Sequence, residues 1–261
     1  MSFPYNIVDL NHETSGLLVP STTKLYPLGT VGICDSRRFV YAHSLDSLIS
    51  AQGAKCELPQ AVGWSTVATT TVAGAQSITL DVSATGGIAG DGVIVANQMA
   101  QGHYCIIDST DGSFIQGRIE SNTATDGGGD EMTITLSHPC PVALIADTDH
   151  IELVHSLYYG IKQTNNDISS VVGVPTYNAV SGQYLWLQTW GPCALAAMAA
   201  VGGSPGPATG NNRLAIFRHN GSVDELDYSD NYNAHGQVAG WVMQNAVSGG
   251  QGTPFIFLTI S

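Results

Sequence analysis

The chain has 261 residues, 8 basic and 21 acidic, for a net charge of −13. A duplex-binding protein needs a basic footprint, and this sequence has none, so direct nucleic-acid binding is excluded. Thirty glycines and a charged fraction of only 11% favour strands and tight turns over helices.

The length suits one large all-β domain or two smaller ones. No apolar run reaches membrane-spanning length, and no basic region with a following apolar run marks a signal peptide. Synthesis in a reducing cytoplasm is the expectation. The cysteines (Cys34, Cys56, Cys105, Cys140 and Cys193) are odd in number and widely spaced, with no C-x-x-C pair. They read as buried free thiols, with one Cys34–Cys56 disulfide as the alternative.

Residues 1–60 read as an extended N-terminal arm with a short hairpin. The stretch 6–26 lacks periodicity, and Pro20, Pro27 and Gly29 interrupt the lead-in. Arg38-Phe39-Val40-Tyr41-Ala42 is a strand, and the turn at Cys34-Asp35-Ser36-Arg37 pairs it with 29–33. Residues 45–50 read as one or two helical turns.

Residues 61–157 read as a first β domain. Ile78, Leu80 and Val82 alternate on one face; Met132, Ile134 and Leu136 do the same further on. Phe114, Gln116, Arg118 and Glu120 alternate against Ile115, Gly117 and Ile119. Residues 86–92 are a glycine-rich bend before a short strand at 92–95. Asp108 to Gly112 is a turn, and Asp126 to Asp130 a loop. Ile151 and Leu153 close the domain.

Residues 158–261 read as a second β domain. Strands are predicted at 171–174, 184–190, 237–243 and 255–260. Asn220-Gly221 between two short apolar runs is the best hairpin signal. Residues 193–201 lean towards strand, and 202–210 form a surface loop. In 184–190, Tyr184, Trp186, Gln188 and Trp190 take one face, and Leu185, Leu187 and Thr189 the other. Two apolar faces imply burial on both sides, and Gly191-Pro192 is expected to stop the strand. The whole is an all-β protein of two small β-barrel or β-sandwich domains.

No stretch carries a convincing catalytic signal. Asp147, Asp149 and Glu152 could offer oxygens to calcium, but EF-hand spacing is absent and an acidic turn is the simpler reading. Asp126, Asp130 and Glu131 read as a solvated loop. His12-Glu13 and His150-Ile151-Glu152 are not H-E-x-x-H, and His103 reads as a strand residue. Gly63-Trp64-Ser65-Thr66-Val67 resembles a nucleophile elbow only loosely, because Val67 stands where glycine is needed. Gly86-Gly87 and Gly202-Gly203 form no phosphate-binding loop, so no cofactor is implied. Asn220-Gly221-Ser222 fits a glycosylation pattern but reads as the hairpin turn. Among the aromatics, Tyr228 and Tyr232 in a polar loop are the best sugar-binding candidates. Tyr184, Trp186, Trp190, Phe39, Tyr41 and Trp241 are the candidates for core or subunit-interface packing.

Gly173-Val-Pro175, Ala179-Val180 and Tyr184-Leu-Trp-Leu-Gln-Thr-Trp-Gly-Pro-Cys193 together resemble a pattern of tailed-bacteriophage virion structural proteins, marine ones in particular. Tyr26-Pro-Leu-Gly-Thr30, Arg38-Phe-Val-Tyr-Ala42, Ala146-Asp-Thr-Asp149, Val238-Ala-Gly-Trp-Val-Met243 and Phe257-Leu-Thr259 follow in the same order. The resemblance implies a β-rich head decoration (cement) protein, often a homotrimer, that clamps neighbouring capsomers. Its partner would be the major capsid protein, and its place the capsid exterior after synthesis in the host cytoplasm. The arm at 1–60 would reach across the shell. The Ala/Ser/Thr-rich region around 202–210 departs from the pattern, so the outer surface is where relatives would differ. A glycan- or receptor-binding fibre, spike or other tail-associated module is the alternative, and a glycan hydrolase, needing two facing carboxylates, a third.

Overall fold

A computed structural model describes residues 7–10, 19–56, 61–82, 94–125, 131–163, 169–197, 214–226, 236–244 and 253–260. They form β-strands and no helix, so the protein is all-β. In chain order the strands are β1 (Ile7–Asp9), β2 (Val31–Cys34), β3 (Arg37–Ser44), β4 (Ala54–Cys56), β5 (Ala61–Val67) and β6 (Ser77–Asp81). Then come β7 (His103–Asp108), β8 (Ser113–Asn122), β9 (Glu131–Leu136), β10 (His150–Val154), β11 (Tyr159–Lys162) and β12 (Val171–Pro175). The last are β13 (Tyr184–Ala194), β14 (Leu214–Phe217), β15 (Val223–Glu225), β16 (Val238–Gln244) and β17 (Phe255–Thr259).

The chain divides into two units. One is contiguous, Leu58–Leu157; the other joins Met1–Glu57 to Tyr158–Ser261. The first is therefore an insertion in the second.

The inserted unit is a closed barrel of six strands in the order β10-β5-β6-β9-β8-β7. Its strands alternate as their sequences do. Ile78, Leu80, Ile106, Ile134 and Ile151 point inward and are fully buried, whereas Phe114 and Gln116 point out. Closure removes the exposed edges of an open sheet. Gly117 is required by packing: a Cβ there would fall on the Tyr104 ring. The predicted strand at 92–95 does not form at its described residues. Ile94 and Met99 instead enter the core from a non-strand segment. Asn122 holds that segment, accepting from the Met99 N–H at 2.8 Å and donating to the Val95 carbonyl at 3.1 Å.

In the other unit, β3, β11, β4, β12 and β13 pair in succession, and β13 returns to pair with β3. Five strands thus close into a ring. Ala42, Ala54, Ile161, Leu185 and Leu187 pack together as its core. Two additions grow from it. On the β3 side come β2 and then β1; on the β13 side come β17, β16, β14 and β15. The inner face of this second wing buries Ile256, Leu258, Val242, Ala215 and Val223 against β12.

Several expectations are revised. Among the described residues before Val31, β1 is the one regular strand; β2, β3 and β4, expected within an arm, are integral to the unit. The partners of β3 and β4 lie far along the chain: β3 pairs with β13 from Tyr184↔His43 onward, and β4 with β11 and β12. The 45–50 stretch is not helical, because Leu48 exchanges backbone hydrogen bonds with Ala179. Gly191-Pro192 does not stop β13, which runs eleven residues to Ala194. Proline tolerates this position because the strand changes partner there. The register with β3 shifts between Gln188 and Trp190, and Trp190–Ala194 pairs with β17. Gly191 at φ +90° makes the bend, where a side chain would meet the Ser36 carbonyl. The hairpins at 34–37 and around Asn220-Gly221 form as read, with Gly221 at φ +80°. The loops at 86–92, 126–130 and 202–210, His12, Glu13 and the end of 193–201 lie outside the described residues; at its start, Cys193 and Ala194 are strand and Ala197 bridges to Val223.

Candidate functional site

The six aromatic residues named as packing or interface candidates separate into two groups, both in the ring-and-wing unit. The first is buried. Trp186 is 1% exposed, and Phe39 and Tyr41 are buried with it beside Leu10 and Leu28. Phe39 and Tyr41 alternate on β3, and Trp186 stands opposite Tyr41 on β13. The three side chains therefore leave the same face of the ring, opposite to the one bearing Leu185 and Leu187. The Trp186 ring meets Tyr41 edge-on at 5.0 Å, the geometry that aromatic quadrupoles favour, and sits tilted 5.4 Å from Tyr26. Tyr184 is half-buried and stacks at 6.0 Å on Tyr41.

What covers this cluster is the chain before β3. Gly32 faces Trp186 so closely that a Cβ would lie 2.9 Å from Cζ3 and 2.6 Å from the Leu10 Cδ1. The Tyr41 hydroxyl accepts from the Leu25 N–H at 3.1 Å, and burial pushes its pKa above the ordinary tyrosine value. His43 extends the cluster, 4.6 Å from Tyr184 and 5.2 Å from Tyr159. Burial, and then the Lys24 charge, hold its pKa below the ordinary histidine value. This group is packing, not a recognition site.

The second group is on the surface. Trp190 is 42% and Trp241 44% exposed. They flank Phe257, which stacks on Trp241 at 4.3 Å with the rings 4° from parallel and meets Trp190 edge-on at 5.4 Å. The register explains the trio: Trp241 stands opposite Phe257 across β16 and β17, and Pro192 opposite Phe257 across β13 and β17. Phe255, Met243 and Leu214 are also exposed, and their alternation places them on this outer face while Ile256, Leu258 and Val242 fill the inner one. Exposed apolar patches of this kind mark interaction surfaces. Phe257 and Phe255 were missed as site residues. The alternation of Phe255 and Phe257 with Ile256 and Leu258 was the available signal.

The acidic stretch does not gather into a site. Asp149 is fully buried, and its carboxylate accepts the N–H groups of Ser109 at 2.9 Å and Ile145 at 2.7 Å. It ties two turns of the barrel together. Asp147 lies exposed in a turn at φ +56°, and Glu152 faces outward from β10. Among the described residues no three His, Cys, Asp or Glu side chains group to hold a metal. Ser65 is buried mid-strand opposite Ile151, which removes the nucleophile-elbow arrangement. All five cysteines are free thiols, and burial pushes Cys193 up to about 12. Tyr228 and Tyr232, the sugar-binding candidates, lie outside the described residues.

No family model matches this chain, and neither a curated protein nor a solved structure does.

Proposed function

We propose that the protein is a non-enzymatic capsid decoration protein, attached to the outer surface of a phage head through the Trp190–Phe257–Trp241 face. The observation that carries this reading is an aromatic patch left open on one side of a sheet whose other side is fully packed. Aromatic side chains dominate the central, desolvated part of protein interfaces. A cement protein does no chemistry; it buries area between shell subunits. Homotrimeric attachment to the major capsid protein would multiply a modest contact by effective concentration. The net charge of −13 suits a shell exterior, since it repels packaged nucleic acid. The resemblance of 173–193 to phage virion proteins points the same way.

The test is sedimentation with intact shells that lack the protein. Stoichiometric co-sedimentation, lost on Trp241→Ala with unchanged melting, supports the reading. Sedimentation apart from the shells ends it, and the fibre or spike alternative then takes precedence.

A further inference from the structure

The aromatic face ends on an arginine. Between β3 and β13, Gln188 pairs with Phe39 and Trp190 with Arg38, so Thr189 is an extra residue in the ladder. Without that bulge Thr189, not Trp190, would stand opposite Arg38. Bulges re-aim side chains in this way. Arg38 in turn stands opposite Ile33 on β2. Cross-strand partners share a face, so Ile33, Arg38 and Trp190 form one row, and the row of Phe257 and Trp241 runs beside it. Ile33 is 41% exposed, and Arg38 is exposed between it and Trp190.

Arg38 differs from the other described arginines of this unit. Arg37 alternates to the opposite face, where its guanidinium lies 5.6 Å from the centre of the Phe39 ring and 3.6 Å from the Asp35 carboxylate. Arg218 lies 3.6 Å from the Asp224 carboxylate. Among the described residues no carboxylate pairs with Arg38. Its row continues past Ile33 to Asp9 on β1, two strand spacings or roughly 10 Å away, and no ion pair joins the two.

A partner that covers Trp190 also covers Arg38. The guanidinium stays charged at any physiological pH, and burying it without a counter-charge is costly. The surface that seats here must therefore bring an acceptor. The planar fork of donors matches a carboxylate or a phosphate through two parallel hydrogen bonds. The surroundings decide between them. A phosphate polymer brings many charges to a row with a single arginine, on a chain of charge −13, and leaves the indoles without apolar cover. A carboxylate set in an apolar protein segment fits both parts, since tryptophan and arginine together carry much of the binding energy at protein interfaces. Resting on the attachment reading above, we propose that the shell surface seated on the aromatic face presents an Asp or Glu carboxylate within an apolar patch, and that Arg38 holds it as a bidentate fork. The pair fixes the register of the protein on the shell, which an aromatic face alone leaves free to slide.

The experiment sediments the full-length chain with intact shells that lack it, over a range of protein concentrations. Arg38→Gln weakens binding at least tenfold. Arg38→Lys, which keeps the charge and loses the fork, does not restore the wild-type affinity. Both melt as the wild type does, because the side chain is exposed. With Arg38→Lys on the shell at saturating protein, a carbodiimide activates the facing carboxylate, and the introduced amine displaces the urea to form an amide. Peptide mapping then places a crosslink between position 38 and an Asp or Glu of the major capsid protein. Wild-type binding by Arg38→Gln, where Trp241→Ala has lost it, overturns the proposal and leaves the attachment reading standing. So does full recovery in Arg38→Lys, or a map with no crosslink at position 38. If the wild type does not bind shells at all, the attachment reading ends and this proposal with it.

Discussion

Trp186 and Trp190 sit four residues apart on one strand and, by simple alternation, on one face. Trp186 is 1% exposed and Trp190 42%. Nothing in the two side chains accounts for that difference; their neighbours do. Trp186 lies where β13 pairs with β3, under β2 and the chain before it. Trp190 lies past the register shift, where β13 has exchanged β3 for β17. Gln188 marks the changeover from inside: its buried amide donates to the Pro192 carbonyl at 2.9 Å. One aromatic stripe thus serves two ends, a sealed core at its start and an open face at its finish. The bulge is the switch between them.

The largest expected effect tests the sealed end. Trp186→Ala should cost about 3–5 kcal/mol, read as a lower urea midpoint at unchanged slope. A midpoint close to wild type would mean that the cover over Trp186 is absent in solution. Next in size is Gly32→Ala. The added methyl meets Leu10 and Trp186 at sub-van-der-Waals distances, and overpacking of this sort costs about 1–3 kcal/mol. Because Leu10 and Trp186 are both hemmed in, suppression by Leu10→Val would locate the strain between them.

His43 gives a pH signature to the same end. Its folded-state pKa lies below the ordinary value of 6.5, so the unfolded chain binds the proton more readily. Stability from this group is full above about pH 6.5 and falls as pH drops towards the lowered folded value. His43→Phe should flatten that part of the stability profile. A profile that keeps its slope in the variant would assign the loss to other groups. The smallest stability effect belongs to the open end. Trp241→Ala should shift stability by no more than about 0.5 kcal/mol, as surface changes do, while attachment to shells is lost. A large drop in melting temperature would place Trp241 in the core and erase the contrast.

Local patterns were legible in the sequence; partners were not. The inward sets Ile78/Leu80 and Met132/Ile134/Leu136 follow from period two alone, and the Asn220-Gly221 turn from its φ requirement. The roles of β3 and β4 were hidden because they pair with strands far along the chain. Ser44, for example, donates to the carbonyl of Val180, 136 residues away. Period two also placed Trp186 and Trp190 together, since hydropathy does not record which one a later segment will cover. Of the candidate site, Trp190 and Trp241 were visible as aromatics, but their shared neighbour Phe257 becomes relevant only through the β16–β17 register. Trp64 was noticed only for its resemblance to a catalytic turn. Its positive φ and its stacking on His150 are properties of a bulge between strands that lie far apart in sequence.

The position of the barrel within the chain governs the order of events as the protein is made. Residues 58–157 are contiguous, so the barrel can close as soon as β10 leaves the ribosome. By then β2, β3 and β4 have long been exposed, and β3 still lacks β11 and β13. The ring completes only when residues 184–190 arrive, and the aromatic face only after β17. The surface proposed for attachment is therefore completed after both the barrel and the ring. A chain truncated before Phe255 would carry a finished barrel without the proposed attachment face.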